Sequence, residues 1–467
     1  MRGIAGALMH RSLRRPGKGA VMSQIVTASL VETVRRNARP ITGLAHDYDP
    51  IMDLVGDRSL VLLGEATHGT HEFYQSRAHI TRRLIQEKGF NAIAVEADWP
   101  DAYRVNRFVC GVGKDTRPSD ALRAFERFPL WMWRNVEVMN FIDWLRDYNL
   151  ALPRDQRVGF YGLDLYSLYS SISAVIEYLE QVDPEEAARA RHRYACLDHI
   201  YKEPEHYGYR VKMGSHMSCR DHVVEQLIEL RRKATDYLAK NGIEAEDEQF
   251  FAEQNARLVR NAEEYYRELY GFRTNTWNLR DRHMAETLAA LEQHLARRGR
   301  QPRIVVWAHN SHIGDARATE MGHRGELNVG QLARERFGDD AILIGYTTHT
   351  GTVSAASEWG GTTQMKTIRP ALPGSYESIF HQTGVERFIL PLQGEVAQAL
   401  DEPQRLQRAI GVIYMPQSER SSHYFYCHLP RQFDAVIHFD TTCAVEPLDH
   451  VGEWKAGPVP DTYPFAV

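Results

Sequence analysis

The chain has 467 residues, 43% apolar and 25% charged, the balance of an ordinary globular protein long enough for two or three domains or one large α/β domain with an insertion. Its net charge of −5 gives no electrostatic reason to expect nucleic acid or an acidic membrane as partner, and no apolar stretch is long enough to span a bilayer. The five cysteines (Cys110, Cys196, Cys219, Cys427, Cys443) lie far apart without a CxxC pair, which argues against a disulfide framework or thiolate zinc site and for neutral thiols in a reducing cytoplasm.

Residues 1–22 are basic and Gly-rich, and their apolar piece, Ile4 to Met9, is too short for a signal-peptide core. A disordered tail is expected there, with Met22 a candidate start. Ile25 to Arg36 is amphipathic and reads as a helix. Leu60 to Leu63 is an apolar run stopped by Gly64; a helix follows from about Glu72 to Lys88, with Gly89 as its stop, and then a strand from Ala92 to Glu96. Strand, turn, helix, strand is the pattern of a βαβ unit with parallel strands. Asp98-Trp99-Pro100 reads as a helix entry, with Asp98 as cap.

Helical patterning covers Asp101 to Val109 and Asn135 to Tyr148, flanking the aromatic cluster Phe128-Pro129-Leu130-Trp131-Met132-Trp133, a core element or a cleft wall. A strand at Val158 to Gly162 leads to Asp164 and a helix over Ser167 to Leu179. From about Pro184 to Arg298 the sequence is rich in Glu, Arg, Ala and Leu and shows no strand pattern. The helix Trp277 to Leu295 in this region carries enough charge that one side must be solvated or line the cleft. Strands resume at Arg303 to Trp307, Ala341 to Tyr346, Phe388 to Pro391, Ala409 to Tyr414 and Ala435 to Phe439. Gly and Pro between Gly351 and Gly374 suggest a long loop near the cleft mouth. The fold class is α/β: a central, mostly parallel sheet flanked by helices, with a large helical insertion. The expected division is an α/β core over 23–182 and 299–467 and the insertion over 183–298.

Ligands of open α/β sheets bind beyond the carboxyl ends of the strands. Strand ends here deliver Glu65 with His68, Glu96, Asp164, and His309 with His312. Each alone has a structural explanation; Asp164, for one, could simply cap the next helix. Together they suit a water-activating site. A neutral imidazole is a base near pH 7, and an adjacent carboxylate fixes its tautomer, so His68 beside Glu65 or Glu96 is the candidate general base. Arg77 could pair with one of these carboxylates or stabilise an oxyanion, and His309 could hold the leaving oxygen or a water. His312, Asp164, Trp131 and Tyr424 are the candidate substrate contacts. No GxSxG elbow, Walker loop or strand-linked GxGxxG occurs. The three-residue spacings of His68 with His71 and His309 with His312, beside two glutamates, also suit zinc or manganese, although Arg77 would repel a cation.

Gly64-Glu65-Ala66-Thr67-His68-Gly69, Arg77 nine residues after His68, Val95-Glu96 and Ala308-His309-Asn310-Ser311-His312 resemble the erythromycin esterase family, whose homologues also carry succinoglycan-biosynthesis labels. The likeness extends through Arg280-Asp281-x-x-Met284-Ala285-Glu286, Ser422-His423-Tyr424-Phe425 and Leu429 to Val436, the last two resembling the tail of bacterial members. It implies an α/β fold with a helical insertion and a deep cleft. It also implies ester hydrolysis, of a macrolide lactone in the antibiotic-inactivating members. The residue matching His68 would be the base on water with no obligatory metal, and Glu65, Arg77, Glu96, His309 and His312 match the other active-site positions. The expectation is a cytoplasmic hydrolase acting on a small-molecule ester without a cofactor, partnered by neither nucleic acid nor membrane. A metal-dependent hydrolase and a non-catalytic, biosynthesis-accessory binding protein are the alternatives. An amphipathic insertion serves monomers and dimers equally, so no oligomeric state follows.

Overall fold

Apolar runs without polar alternation form strands that helices cover on both faces. The computed structural model describes residues 18–44, 46–197, 211, 218–241, 243–269 and 275–449. Its strands are β1 (Arg39–Pro40), β2 (Leu60–Leu63), β3 (Ala92–Asp98), β4 (Gly159–Asp164), β5 (Ile304–Trp307), β6 (Ala341–Ala355), β7 (Gln364–Ile368), β8 (Arg387–Pro391), β9 (Arg405–Arg408), β10 (Tyr424–Cys427) and β11 (Ala435–Thr442). Nine form one sheet, ordered β1-β8-β11-β6-β2-β5-β3-β4, with β7 paired to the distal half of β6. From β11 to β4 every pairing is parallel; β1, β7 and β8 join antiparallel. The expected α/β class is the one observed.

The period-2 alternation of side chains divides the core between two faces. Leu60 and Leu62 pack on one face with Val306 and Leu343, under Leu258, Val259, Leu288 and Leu291 from the helices between β4 and β5. Val61 and Leu63 face the other way, against Phe73, Ile80, Val105, Phe141 and Leu145 of the helices His71–Lys88, Trp99–Val109 and Val136–Leu150. Burying each such aliphatic side chain contributes roughly 1.5–3 kcal/mol relative to leaving it exposed. Between β4 and β5 the described residues are helical, in Leu168–Val182, Pro184–Tyr194, Ala195–Leu197, Arg220–Asn241, Ile243–Leu269 and Thr276–Arg297. Gly89 ends the helix after β2 at φ +69°, a left-handed position that glycine adopts without steric cost.

Several expectations change. Residues 1–17 of the expected tail lie outside the described residues, and the helix Lys18–Asn37 begins inside that stretch. The loop expected after Gly351 is in part sheet. β6 continues to Ala355, because Thr347, Thr348, Thr350, Thr352 and Val353 favour a pleated strand, and β7 pairs with it. Ala409 to Tyr414 is no strand: Ala409 donates to His423 and Ile410 to the Ala66 carbonyl, so the segment is tied to its neighbours by single bonds. The strand lies just before it, as β9 paired with β10. Cys196 and Cys219, expected as separate thiols, are joined as a disulfide with Cα atoms 5.9 Å apart. Cys110, Cys427 and Cys443 are free. No helix among the described residues is long and apolar enough to cross a membrane.

Candidate active site

β2, β5, β3 and β4 are neighbours in the sheet, so the residues that follow or end them meet at one carboxyl edge. The turn after β2 is held by its own backbone. The Glu65 carbonyl accepts Asn310 N–H at 2.8 Å, the Ala66 carbonyl accepts Ile410 N–H at 2.8 Å, and Gly69 O accepts from Ser354 and Val445 at 3.0 Å each. The Tyr74 hydroxyl donates to the His68 carbonyl at 2.8 Å. A loop fixed at this many points places the His68 ring with little freedom, as a site that must hold a reactive geometry requires.

Arg77, Glu65 and His68 form a buried relay. An Arg77 guanidinium N–H donates to Glu65 Oε2 at 2.9 Å, and Glu65 Oε1 lies 2.9 Å from His68 Nδ1. A carboxylate can only accept, so Nδ1 carries a proton, and in the neutral ring Nε2 is left with a lone pair. That lone pair lies 4.0 Å from Glu96 Oε1, and the His309 ring stands 4.7 Å away, centre to centre.

Glu96 is the hub of the site. Its Oε2 accepts the His309 backbone N–H at 2.8 Å; its Oε1 takes Arg280 at 2.8 Å and lies 3.2 Å from His312 Nε2. Arg280 also grips Asp164 at 3.0 and 2.6 Å. His312 Nδ1 lies 3.0 Å from both Asp281 oxygens, and its ring stacks on Trp277 at 4.4 Å. Burial alone would push His312 toward neutrality, and an Arg280 N–H lies 3.0 Å from its Nε2, but the flanking Asp281 and Glu96 carboxylates hold its pKa up at about 9, which favours the imidazolium. Burial likewise opposes the ionised Glu96, yet His312 and Arg280 hold its carboxyl well below the usual range. His309 has the opposite fate: burial, and then the nearby His68 ring, drive its pKa well down. Its Nδ1 accepts the Ser311 N–H at 3.3 Å, so the proton is on Nε2, which makes no hydrogen bond among the described residues.

β3 bulges at the site. Val95 pairs with Gly162 and Asp98 with Asp164, leaving Glu96 and Ala97 opposite Leu163 alone. Such bulges re-aim side chains next to active sites, and here Glu96, Ala97 and Asp98 all border the cavity. Gly162 makes the bulge possible, since a Cβ there would lie 2.5 Å from the Ala97 carbonyl oxygen and 2.6 Å from that of Asp98. Gly162→Ala is expected to cost about 1–3 kcal/mol, as overpacking does, and to lower activity by shifting Glu96. Thermal melting alongside ester turnover checks it; a variant unchanged in both would mean that the bulge does not position the site.

A cavity of about 90 Å³ opens here, bordered by His68, Glu96, Asp164, Arg280, His309 and His312. Glu65 and Arg77 lie behind His68, outside the cavity lining. The oxyanion role considered for Arg77 is therefore excluded by position: it is buried over the Tyr74 and Trp307 rings at 4.3 and 5.1 Å. Trp131 is a core residue; its neighbours Met132 and Trp133 border the cavity, because the short 3-10 turn aims successive side chains in different directions. Tyr424 is on β10, away from the cleft, with its hydroxyl accepting from Leu372 N–H at 3.2 Å. Asp98 stands at the expected cap position, but its carboxylate takes Arg127 at 2.9 Å and Tyr166 N–H at 3.1 Å instead of capping the helix.

Sequence reasoning left Arg280, Asp281, Trp277, Asp101 and Arg127 out of the candidate site. The charge on the helix Trp277 to Leu295 and the family-like motif that Arg280 and Asp281 open are the signals for the first two. Arg280 is decided by partners 116 and 184 positions away, which no local pattern registers. Among the described residues, the one group of three ligand-type side chains converging within 4.8 Å is Asp401, Glu402 and His428, remote from this cavity. The cleft donors do not converge in that way, and both oxygens of Glu96 already accept hydrogen bonds.

The profile of the erythromycin esterase family matches residues 85–442. The chain is 24% identical over 327 residues to the erythromycin esterase type II of Escherichia coli, covering 66% of this chain and 73% of that protein. It is 20% identical over 359 residues to the putative hydrolase YbfO of Bacillus subtilis (strain 168), covering 72% and 74%. Among solved structures it resembles a succinoglycan biosynthesis protein, with a TM-score of 0.71, 22% identity and 91% of this chain and 100% of that chain covered. It also resembles a mutant of the erythromycin esterase EreC in its open conformation, with a TM-score of 0.62, 17% identity and 90% and 98% covered. At these identities the structural likeness establishes the fold.

Proposed function

The chain belongs to the erythromycin esterase family, and from that membership we propose that it hydrolyses a carboxylic ester with a water activated by His68, without an obligatory metal. The observation that carries this is the Arg77–Glu65–His68 relay, which leaves a lone pair on His68 Nε2 at the cavity. Water placed against Nε2 loses a proton to it as its oxygen attacks the ester carbonyl. Glu65 stabilises the imidazolium that forms, as a carboxylate does behind any imidazole base. The oxyanion is stabilised by the Nε2–H of His309 and by the Arg280 and His312 cations nearby. Collapse of the tetrahedral intermediate breaks the bond to the alkoxy oxygen, which takes its proton from His68. Neutral His309 beside cationic His312 suits this division of labour: one donates a hydrogen bond without competing for the proton, the other holds Glu96 in place.

The cavity volume bears on substrate. Pockets for drug-sized ligands measure about 300–1,000 Å³, and about 90 Å³ accommodates the reacting ester and its immediate substituents. A small acyclic ester enters the cleft as it stands. A macrolide lactone requires the aromatic wall to move.

The test is a panel of p-nitrophenyl esters and one macrolide, followed by absorbance and by the mass gain of one water. Short acyl esters are expected to turn over, and faster than the macrolide. Hydrolysis of none by the purified chain would overturn the proposal. Turnover abolished by a chelator and restored by zinc or manganese would replace it with the metal-dependent reading.

A further inference from the structure

Four carboxyl groups border the cavity, Glu96, Asp98, Asp101 and Asp164, but only three cations do, Arg127, Arg280 and His312. The three cations are committed. Arg280 binds Glu96 and Asp164, His312 lies against Glu96, and Arg127 binds Asp98. Asp101 makes no hydrogen bond or salt bridge among the described residues, although it borders the cavity from the first turn of the helix Trp99–Val109. Burial, and then the charge of Asp98, raise its pKa well above the usual range, against the pull of Arg127. An ionised Asp101 is costly in such a half-buried place, because Arg127, the opposing charge that acts on it, is already bound to Asp98, and a cation brought by a ligand would lower that cost.

The wall around it is aromatic. Phe125, Phe128, Trp133 and Trp359 border the same cavity. The Phe128 and Trp359 rings meet edge to face at 4.7 Å, and Phe125 and Trp133 lie 6.0 Å apart. Aromatic faces beside a carboxylate are the surroundings in which alkylammonium groups bind, through the negative ring faces and the charge. A hydroxyl would satisfy the hydrogen-bonding capacity of Asp101 but would add no opposing charge.

We propose that Asp101 with the Phe125, Phe128, Trp133 and Trp359 rings forms a subsite for a protonated or quaternary amine, and that the ester hydrolysed at His68 carries one. The substrate half of this rests on the hydrolase reading above; the binding half does not.

Two measurements at pH 8 separate them. The first compares kcat/KM for acetylcholine and for 3,3-dimethylbutyl acetate, which match in shape and differ in charge. The cationic ester is expected to be favoured about tenfold, and Asp101→Asn to reduce that ratio several-fold. The second titrates the protein with tetramethylammonium chloride against sodium chloride at matched ionic strength, following tryptophan fluorescence. A saturable response to the ammonium salt alone is expected, weakened in Asp101→Asn. Trp359→Leu is a second variant should the first not fold. Equal kcat/KM for the two esters overturns the subsite while leaving the hydrolase standing. No saturable ammonium response overturns it too. Saturable binding without hydrolysis of either ester supports the cation site and overturns the claim that the ester hydrolysed at His68 carries the amine.

Discussion

Replacing His68 by alanine is expected to lower kcat on an ester substrate by ~10²–10⁴, the contribution general-base catalysis makes, with the fold retained. The Arg77–Glu65 pair survives the change, so no buried charge is stranded. Glu65→Gln tests the same relay from behind. Arg77 can only donate toward position 65, so a glutamine there turns its carbonyl to Arg77 and its NH₂ to His68. Nδ1 must then accept, the ring proton moves to Nε2, and the ring can no longer take a proton from water. A carboxylate-to-amide change therefore costs activity on the same scale as loss of the ring, about 10²–10⁴. Stopped assays of kcat with circular dichroism as the fold control read both. Full activity in His68→Ala would remove this histidine from the chemistry.

Arg280→Met is expected to be the most destabilising single change in the cleft. It leaves the buried Glu96 and Asp164 carboxylates without their shared guanidinium. Removing one partner of a buried ion pair costs roughly 3–5 kcal/mol. The pH dependence has a definite sign. In the native chain Arg280 helps hold the Glu96 and Asp164 pKa values below their ordinary ones, against the burial that opposes it. Their ionised forms therefore stabilise the fold above the unfolded pKa, and this is lost as pH falls through the folded value. In the variant burial raises at least one of these carboxyls, whose contribution is then present at low pH and lost as pH rises. The difference in melting temperature between the two proteins should narrow on acidification from pH 7 toward 4.5. A difference that stays constant across that range would show that Arg280 acts through packing over Tyr166, 5.0 Å away, and not through charge.

Glu65, His68, Glu96, Asp164, His309 and His312 could be placed at one edge from the sequence, because each follows or ends an apolar run. Such runs make parallel strands whose carboxyl ends share a side. Trp131 and Tyr424 could not be placed, since an apolar or aromatic residue suits core and cleft equally and only the surrounding packing decides. The division of labour between His68 and His309 was hidden for a different reason. Both are histidines after strands, and what separates them is a carboxylate at 2.9 Å from the one and a backbone N–H on the other.

By itself, then, the sequence determined the parallel α/β sheet, the family and the edge at which polar groups gather, because these follow from local periodicity and short motifs. Tertiary structure alone decided that Arg77 lies behind Glu65, that Arg280 joins Glu96 to Asp164, and that Asp101 borders an aromatic-lined cavity with no hydrogen bond or salt bridge among the described residues. Each depends on groups tens to hundreds of positions apart along the chain. Coulombic and hydrogen-bond energies act over a few ångströms of space, whatever the distance in sequence.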